Sequence, residues 1–187
     1  MLIESFLDYL RLERNYSERT IVSYRTDLRE FGGFLENTEA ELDWKKVHAD
    51  HVRNWMVSLM EGGKAATSVN RKLSSLRSFY RFLLRKKLVA VNPMLKIVGP
   101  KKKKPLPFFV REKDMNRLLD EIPFKEGFEG CRDRTILEMF YATGMRLSEL
   151  IGLNDADVDF ASKLIKVTGK RNKQRLIPFG KELEEDL

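Results

Sequence analysis

One cysteine, Cys131, stands in 187 residues, so no internal disulfide framework can form. A lone thiol fits a reducing, cytoplasmic setting. Histidine is nearly as scarce. His48 and His51 are the only two, they share one short stretch with no cysteine beside it, and an ordinary helix start suits them better than a metal site. No metal and no cofactor is expected. Long apolar runs are also missing, and the opening MLIESFLDYLRLER is amphipathic with acids in it, unlike a signal peptide. No membrane partner is expected.

The most informative absence is of negative charge. Residues 62–111 hold 14 lysines and arginines and not one aspartate or glutamate, while residues 1–61 carry a net −4 and residues 112–187 a net −3. The whole positive excess behind the net charge of +7 therefore lies in one block. A solvated basic face is the ordinary reading of a charge run. An acid-free stretch of this length points instead to a surface that meets a polyanion.

Helical spacing dominates the first half of the chain. Leu2, Ile3, Phe6, Leu7 and Leu10 form a first apolar stripe; Ser17 caps a second helix that reaches about Glu36 with Ile21, Tyr24, Leu28, Phe31 and Leu35 inward. Asp50 or Ala49 starts a third helix, stopped by Gly62-Gly63. Thr67 or Ser68 caps a fourth, whose inward stripe is Val69, Leu73, Leu76, Tyr80 and Leu83. Its other residues include Arg71, Lys72, Ser74, Ser75, Arg77, Ser78 and Arg81. That mixture suits a helix meeting DNA, with arginine reaching base edges and serine meeting phosphates.

From Val89 to Pro107 the chain reads as an extended, solvated linker, with Asn92-Pro93, Gly99-Pro100 and the lysines Lys101, Lys102, Lys103 and Lys104. A helix is expected from about Arg111 to Ile122, then a Gly-rich loop and a helix near Arg132–Ala142. The sequence ATGMRLSEL (142–150) then breaks direction at Gly144, and Arg146 opens a new helix. A guanidinium held at such a junction can grip a phosphate with two parallel hydrogen bonds, although a plain pairing with Glu149 three residues on is the simpler alternative. Leu164–Thr168 and Arg175–Phe179 read as strands around a hairpin turn at 169–173, and Lys181–Leu187 as the start of a helix. Lys170, at the tip of the first strand, could give a proton to a leaving oxygen or contact phosphate; Arg171, Lys173 and Arg175 lie close by. Leu164, Ile165 and Val167 are expected to leave an exposed apolar patch or to meet a partner chain.

These stretches together resemble the tyrosine recombinase (phage integrase) family, most closely its Xer-type site-specific recombinases. RKLSSLRSFYRFLLRKKLVAVNP (71–93) is similar to the last helix of the family's core-binding domain and the linker after it. RDRTILEMFYATGMRLSELIGL (132–153) is similar to the helices bearing its first catalytic arginine, and IKVTGKRNKQRLIPFG (165–180) to the hairpin bearing its catalytic lysine. The resemblance implies a mainly α fold: a four-helix SAM-like core-binding domain at 1–88, a basic linker at 89–107, and the N-terminal part of an α+β catalytic domain with a β-hairpin at 108–187.

It also implies roles. Arg146 would grip the scissile phosphate, Glu149 would support it, and Lys170 would protonate the leaving 5′-oxygen, with Lys173 as the alternative register. Arg71, Lys72, Ser74, Arg77, Arg81, the four linker lysines and Lys173 would contact DNA. A complete family member cuts and rejoins DNA through a 3′-phosphotyrosine, without metal or ATP, as a tetramer of recombinase protomers on two double-stranded sites. The family's His-x-x-Arg motif and late tyrosine nucleophile are not found in these residues. Tyr9, Tyr24, Tyr80 and Tyr141 lie on apolar stripes and read as core; Tyr16 falls at a helix junction. The chain is thus expected to bind DNA and to be inactive by itself. The alternative is a non-catalytic DNA-binding module built from recombinase parts.

Overall fold

The computed structural model describes residues 2–38, 43–102, 106, 108–169 and 172–187. The chain divides into two compact units, residues 1–105 and 106–187. Among the described residues no helix is long and apolar enough to cross a membrane.

The first unit is helical. Helix α1 (Leu2–Asp8) widens into a π-type turn over Tyr9–Glu13, and α2 (Glu18–Thr38), α3 (Ala49–Glu61) and α4 (Ala66–Arg85) follow. Ser17 caps α2, its Oγ accepting from Thr20 N–H at 3.4 Å. Helix α4 begins earlier than expected, because Val69 N–H already bonds the carbonyl of Ala65. Thr67 and Ser68 therefore sit inside its first turn and do not cap it. His48 and His51 make the start of α3, where His48 N–H donates to His51 Nδ1 at 3.0 Å.

The α4 register follows from burial. Leu73, Leu76, Phe79, Tyr80 and Leu83 are all fully buried, and each such side chain favours that register by roughly 1.5–3 kcal/mol. Lys72 is carried inward with them. Burying one ammonium costs several kcal/mol unless it is paired, and here Asp27 and Glu30 of α2 pair it.

The stretch expected as an extended linker is not extended through its first part. Residues Pro93–Lys96 form a 3₁₀ turn, and Val89, Met94 and Ile97 are buried in the helical core. Arg77 Nη2 donates to the Ile97 carbonyl at 2.9 Å and Asn70 Nδ2 to the Pro100 carbonyl at 2.8 Å, which ties this segment along α4.

In the second unit α5 (Glu112–Asn116) and a π-type turn over Arg117–Glu121 precede α6 (Phe128–Thr143) and α7 (Leu147–Ile151). A 3₁₀ turn at Asp155–Asp157 then leads to strands β1 (Val158–Asp159), β2 (Leu164–Thr168) and β3 (Gln174–Pro178), which pair antiparallel in chain order, and to α8 (Lys181–Asp186). Alternation along β2 turns Ile165 and Val167 inward. Both are buried beside Met139, Met145, Phe179 and Leu183. The apolar patch expected at these residues is therefore covered, and the exposed apolar side chains here are others, Leu147, Ile151 and Leu176 among them.

Candidate functional site

The junction between α6 and α7 is built as a rigid corner. Gly144 ends α6 in the left-handed conformation (φ 59°, ψ 22°), with its N–H on the Phe140 carbonyl; a side chain would be strained at that φ. Met145, buried on the sheet side, anchors the next residue. Arg146 then caps α7 in an extended conformation. Its backbone N–H and its Nη1 both donate to the Glu149 carboxylate, at 2.8 and 2.7 Å. The simpler alternative, an Arg146–Glu149 pair, is thus part of the structure.

A third group decides what that pair is for. Arg175 of β3 donates from Nη1 and Nη2 to the two Glu149 oxygens at 2.7 and 2.8 Å, a planar fork on a carboxylate. Glu149 is buried, while the Arg146 and Arg175 side chains keep 62% and 41% of their surface exposed. Arg175 and the Arg146 backbone N–H hold the Glu149 carboxyl down at about 2, so it is ionised under all ordinary conditions. Two guanidinia against one carboxylate leave a net positive charge facing solvent. Arg146 spends only Nη1 on Glu149 among the described residues, which leaves donors for an anion.

The hairpin runs close against this cluster. Gly169 N–H bonds the Lys173 carbonyl at 2.8 Å, and a Cβ placed on Gly169 would lie 2.9 Å from Glu149 Oε1. A side chain there would push on the carboxylate that Arg146 and Arg175 hold. Lys170 and Arg171 lie outside the described residues, as do Lys103 and Lys104. Lys173, Lys101 and Lys102 are exposed.

Helix α4 sorts its polar residues differently from expectation. Arg71, Ser74, Ser78, Arg81 and Arg85 form the outward stripe, with Ser78 and the neighbouring Arg77 half-buried. Lys72, expected to face DNA, is buried on Asp27 and Glu30 and is removed from that surface. Ser75 is also buried and donates to Asp27 at 2.6 Å. Arg71 remains half-exposed, but its two terminal nitrogens grip Asp27 at 2.6 and 2.8 Å. The reason is one buried carboxylate on α2 that needs partners.

Residues 3–87 match the phage integrase N-terminal SAM-like domain, and residues 109–187 match the phage integrase family. The chain belongs to the phage integrase family. The tyrosine recombinase XerC of Staphylococcus carnosus is 42% identical over 184 residues, covering 98% of this chain and 61% of that protein. XerC of Pediococcus pentosaceus is 42% identical over 186 residues, covering 100% and 62%. The chain thus spans about three-fifths of the length of these relatives. Among solved structures, the Tn1549 transposon integrase in complex with transposon right end DNA superposes with a TM-score of 0.74 at 17% identity, covering 99% of this chain and 63% of that one. A lambda integrase dimer bound to a COC′ core site gives 0.69 at 15%, with 99% and 64% covered. At such identities the likeness is one of fold.

Within this integrase-family chain the tyrosines fall in several settings. Tyr80 is buried, its hydroxyl donates to the Trp44 carbonyl at 3.2 Å, and burial pushes its pKa up. Tyr9, Tyr16 and Tyr24 are half-buried. Tyr141, expected in the core, is 48% exposed. Among the described residues no group of three or more histidine, cysteine or acidic side chains is placed to hold a metal ion.

Arg175 is the site residue that sequence reading passed over as one more cation on a basic hairpin. The readable signal was its register. It shares a strand face with Ile177, opposite buried Val167, and an arginine on a covered face needs a carboxylate.

Proposed function

We propose that this chain supplies the DNA-binding unit and the phosphate-gripping arginine of a site-specific DNA recombinase. The observation that carries the reading is the Arg146–Glu149–Arg175 cluster with the hairpin backbone packed against it. Phosphoryl transfer of this kind asks for positioning and for stabilisation of charge on the phosphate oxygens. Arg146, fixed by Glu149, binds the scissile phosphate with the donors Glu149 does not use. Lys170, next in the chain after Gly169, protonates the leaving 5′-oxygen, with Lys173 the alternative. The tyrosine that attacks belongs to the complete protein, and no metal or ATP enters the step. Units corresponding to residues 1–88 and 108–187, with the basic segment 89–107 between them, engage double-stranded DNA, and protomers assemble as a tetramer on two sites.

If 6–10 of the exposed cations meet phosphates, affinity for duplex falls by roughly 10³–10⁵ between 50 and 200 mM salt. The deciding experiment traps the covalent protein–DNA product that the complete protein forms on a nicked target site. Arg146→Ala should abolish the product while leaving duplex binding largely intact. A complete protein that binds duplex yet forms no covalent product would leave a DNA-binding module without catalysis.

A further inference from the structure

A second set of guanidinium groups converges in the first unit, around an open pocket of about 230 Å³ between the turn after α1 and the last two turns of α4. Arg14, Arg81 and Arg85 line it with Tyr9, Tyr16 and Phe82, and no carboxylate does. Local structure explains the convergence. Asn15 takes a φ of 50°, a left-handed conformation that asparagine tolerates, and the chain reverses there. Tyr16 N–H closes the reversal on the Leu10 carbonyl at 3.0 Å, which brings Arg14 and Tyr16 to the same opening.

Among the described residues the cations in this pocket are held without counter-ions. Arg85 lies 4.4 Å above the Tyr9 ring, and Tyr9 stacks on Phe82 at 5.1 Å, so this cation rests on an aromatic face. Elsewhere in the unit Arg11, Arg25, Arg53 and Arg71 each bond a carboxylate. Arg14, Arg81 and Arg85 have no carboxylate partner among the described residues. Three like charges around one opening repel one another unless an anion sits between them.

The geometry points to a pocket for one phosphodiester of a DNA backbone, the phosphate on the guanidinia and the attached sugar against the tyrosine rings. Size favours a piece of a longer chain, because the volume is below the ~300–1,000 Å³ of pockets that enclose a whole drug-sized ligand. Continuity favours DNA as the source. Arg81 and Arg85 continue the outward stripe of Arg71, Ser74 and Ser78 at steps of three and four residues, so a strand tracked by that stripe runs into the pocket. The inference rests on the DNA-binding reading above; it adds Arg14, from a different element, and a defined phosphate position.

The test measures binding of this chain to labelled duplexes of several sequences between 50 and 200 mM salt. Arg14→Ala and Arg85→Ala should each weaken binding equally for all sequences, and the double variant should lower the slope of log K against log salt by about 1. Arg53→Ala removes one charge elsewhere in the unit and should leave the slope unchanged. Arg14 is exposed, so its substitution spares the core, and an unchanged melting temperature checks this. If the parent chain binds duplex and the double variant keeps its slope, the pocket assignment fails and the DNA-binding reading stands. If the parent chain does not bind duplex, both fall. A nucleoside monophosphate that raises the melting temperature only when Arg14 is present, with the duplex slope unaffected, would assign the pocket to a free nucleotide and overturn the proposal.

Discussion

Arg175 holds both carboxylate oxygens of Glu149, a residue 26 positions earlier in the chain, at 2.7 and 2.8 Å. Because the same carboxylate takes the backbone N–H and Nη1 of Arg146, strand β3 and the start of α7 are fixed to each other through one buried group. The position of Arg146 therefore depends on a residue that need not touch DNA. Arg175→Ala in the complete protein should slow covalent-product formation by about 10²-fold, the scale of a displacement near 1 Å, with duplex binding little changed. Arg175→Lys should restore only part of the rate, since an ammonium cannot make two parallel bonds. A loss of binding equal to the loss of rate would mean that Arg175 contacts the DNA itself.

Glu149 also predicts an acid limb of stability. Its carboxyl is held at about 2 against an ordinary 4.5, by Arg175 first and then by the Arg146 N–H. A depressed folded-state value stabilises above the unfolded value, and that contribution is lost as pH falls from 4.5 towards 2. The melting-temperature gap between the parent chain and Glu149→Gln should be constant above pH 5 or so and close on the way to pH 2. A gap that persists unchanged at pH 2 would rule out ionisation as its source.

Glu138 predicts the opposite slope. On α6 it is nearly buried against Asp186 of α8, and burial, with the Asp186 carboxyl beside it, pushes its pKa up to about 7. Here the folded value lies above the unfolded one, so stability declines as pH rises from 4.5 to 7 and then levels off. Glu138→Gln should melt higher than the parent at pH 8 and lose that decline. Equal melting temperatures at pH 8 would show that the carboxyl is not strained.

Asp27 predicts where the first unit is vulnerable. It is fully buried and accepts from Arg71, Lys72 and Ser75 at once. Asp27→Ala leaves Lys72 with Glu30 alone, and breaking a buried pair costs about 3–5 kcal/mol, a large part of a typical ~5–15 kcal/mol. Urea unfolding should show the loss. Replacing Lys72 by Met as well should recover part of it, because an apolar pair can fill the space of a buried ion pair. No recovery would mean that Arg71 and Ser75, not Lys72, carry the dependence on Asp27.

Much of this molecule was legible in the chain. Apolar spacing placed α1 to α4, since a stripe repeating at helical period has one way to be buried. Gly144 marked the corner before Arg146, because few other residues accept its conformation. The alternation of Ile165 and Val167 with polar neighbours marked β2. What local pattern could not show was which partner each charged side chain would find. Lys72 and Ser75 read as surface residues until the α4 register turned them onto Asp27, and register is a sum over the whole helical core. The apolar residues of β2 looked uncovered because Met145, Phe179 and Leu183, which cover them, are brought there only by the folded second unit.

The sequence by itself determined the main helices, the two hairpin strands, the acid-free basic block and the positions of Arg146 and Glu149, all of which depend on residue type and short-range spacing. Only the tertiary structure decided that Arg175 shares Glu149 with Arg146, and that Arg14 joins Arg81 and Arg85 around one pocket. Those pairings join residues far apart in the chain, and they form because a buried carboxylate or a turn in the backbone brings the partners within hydrogen-bond or contact distance.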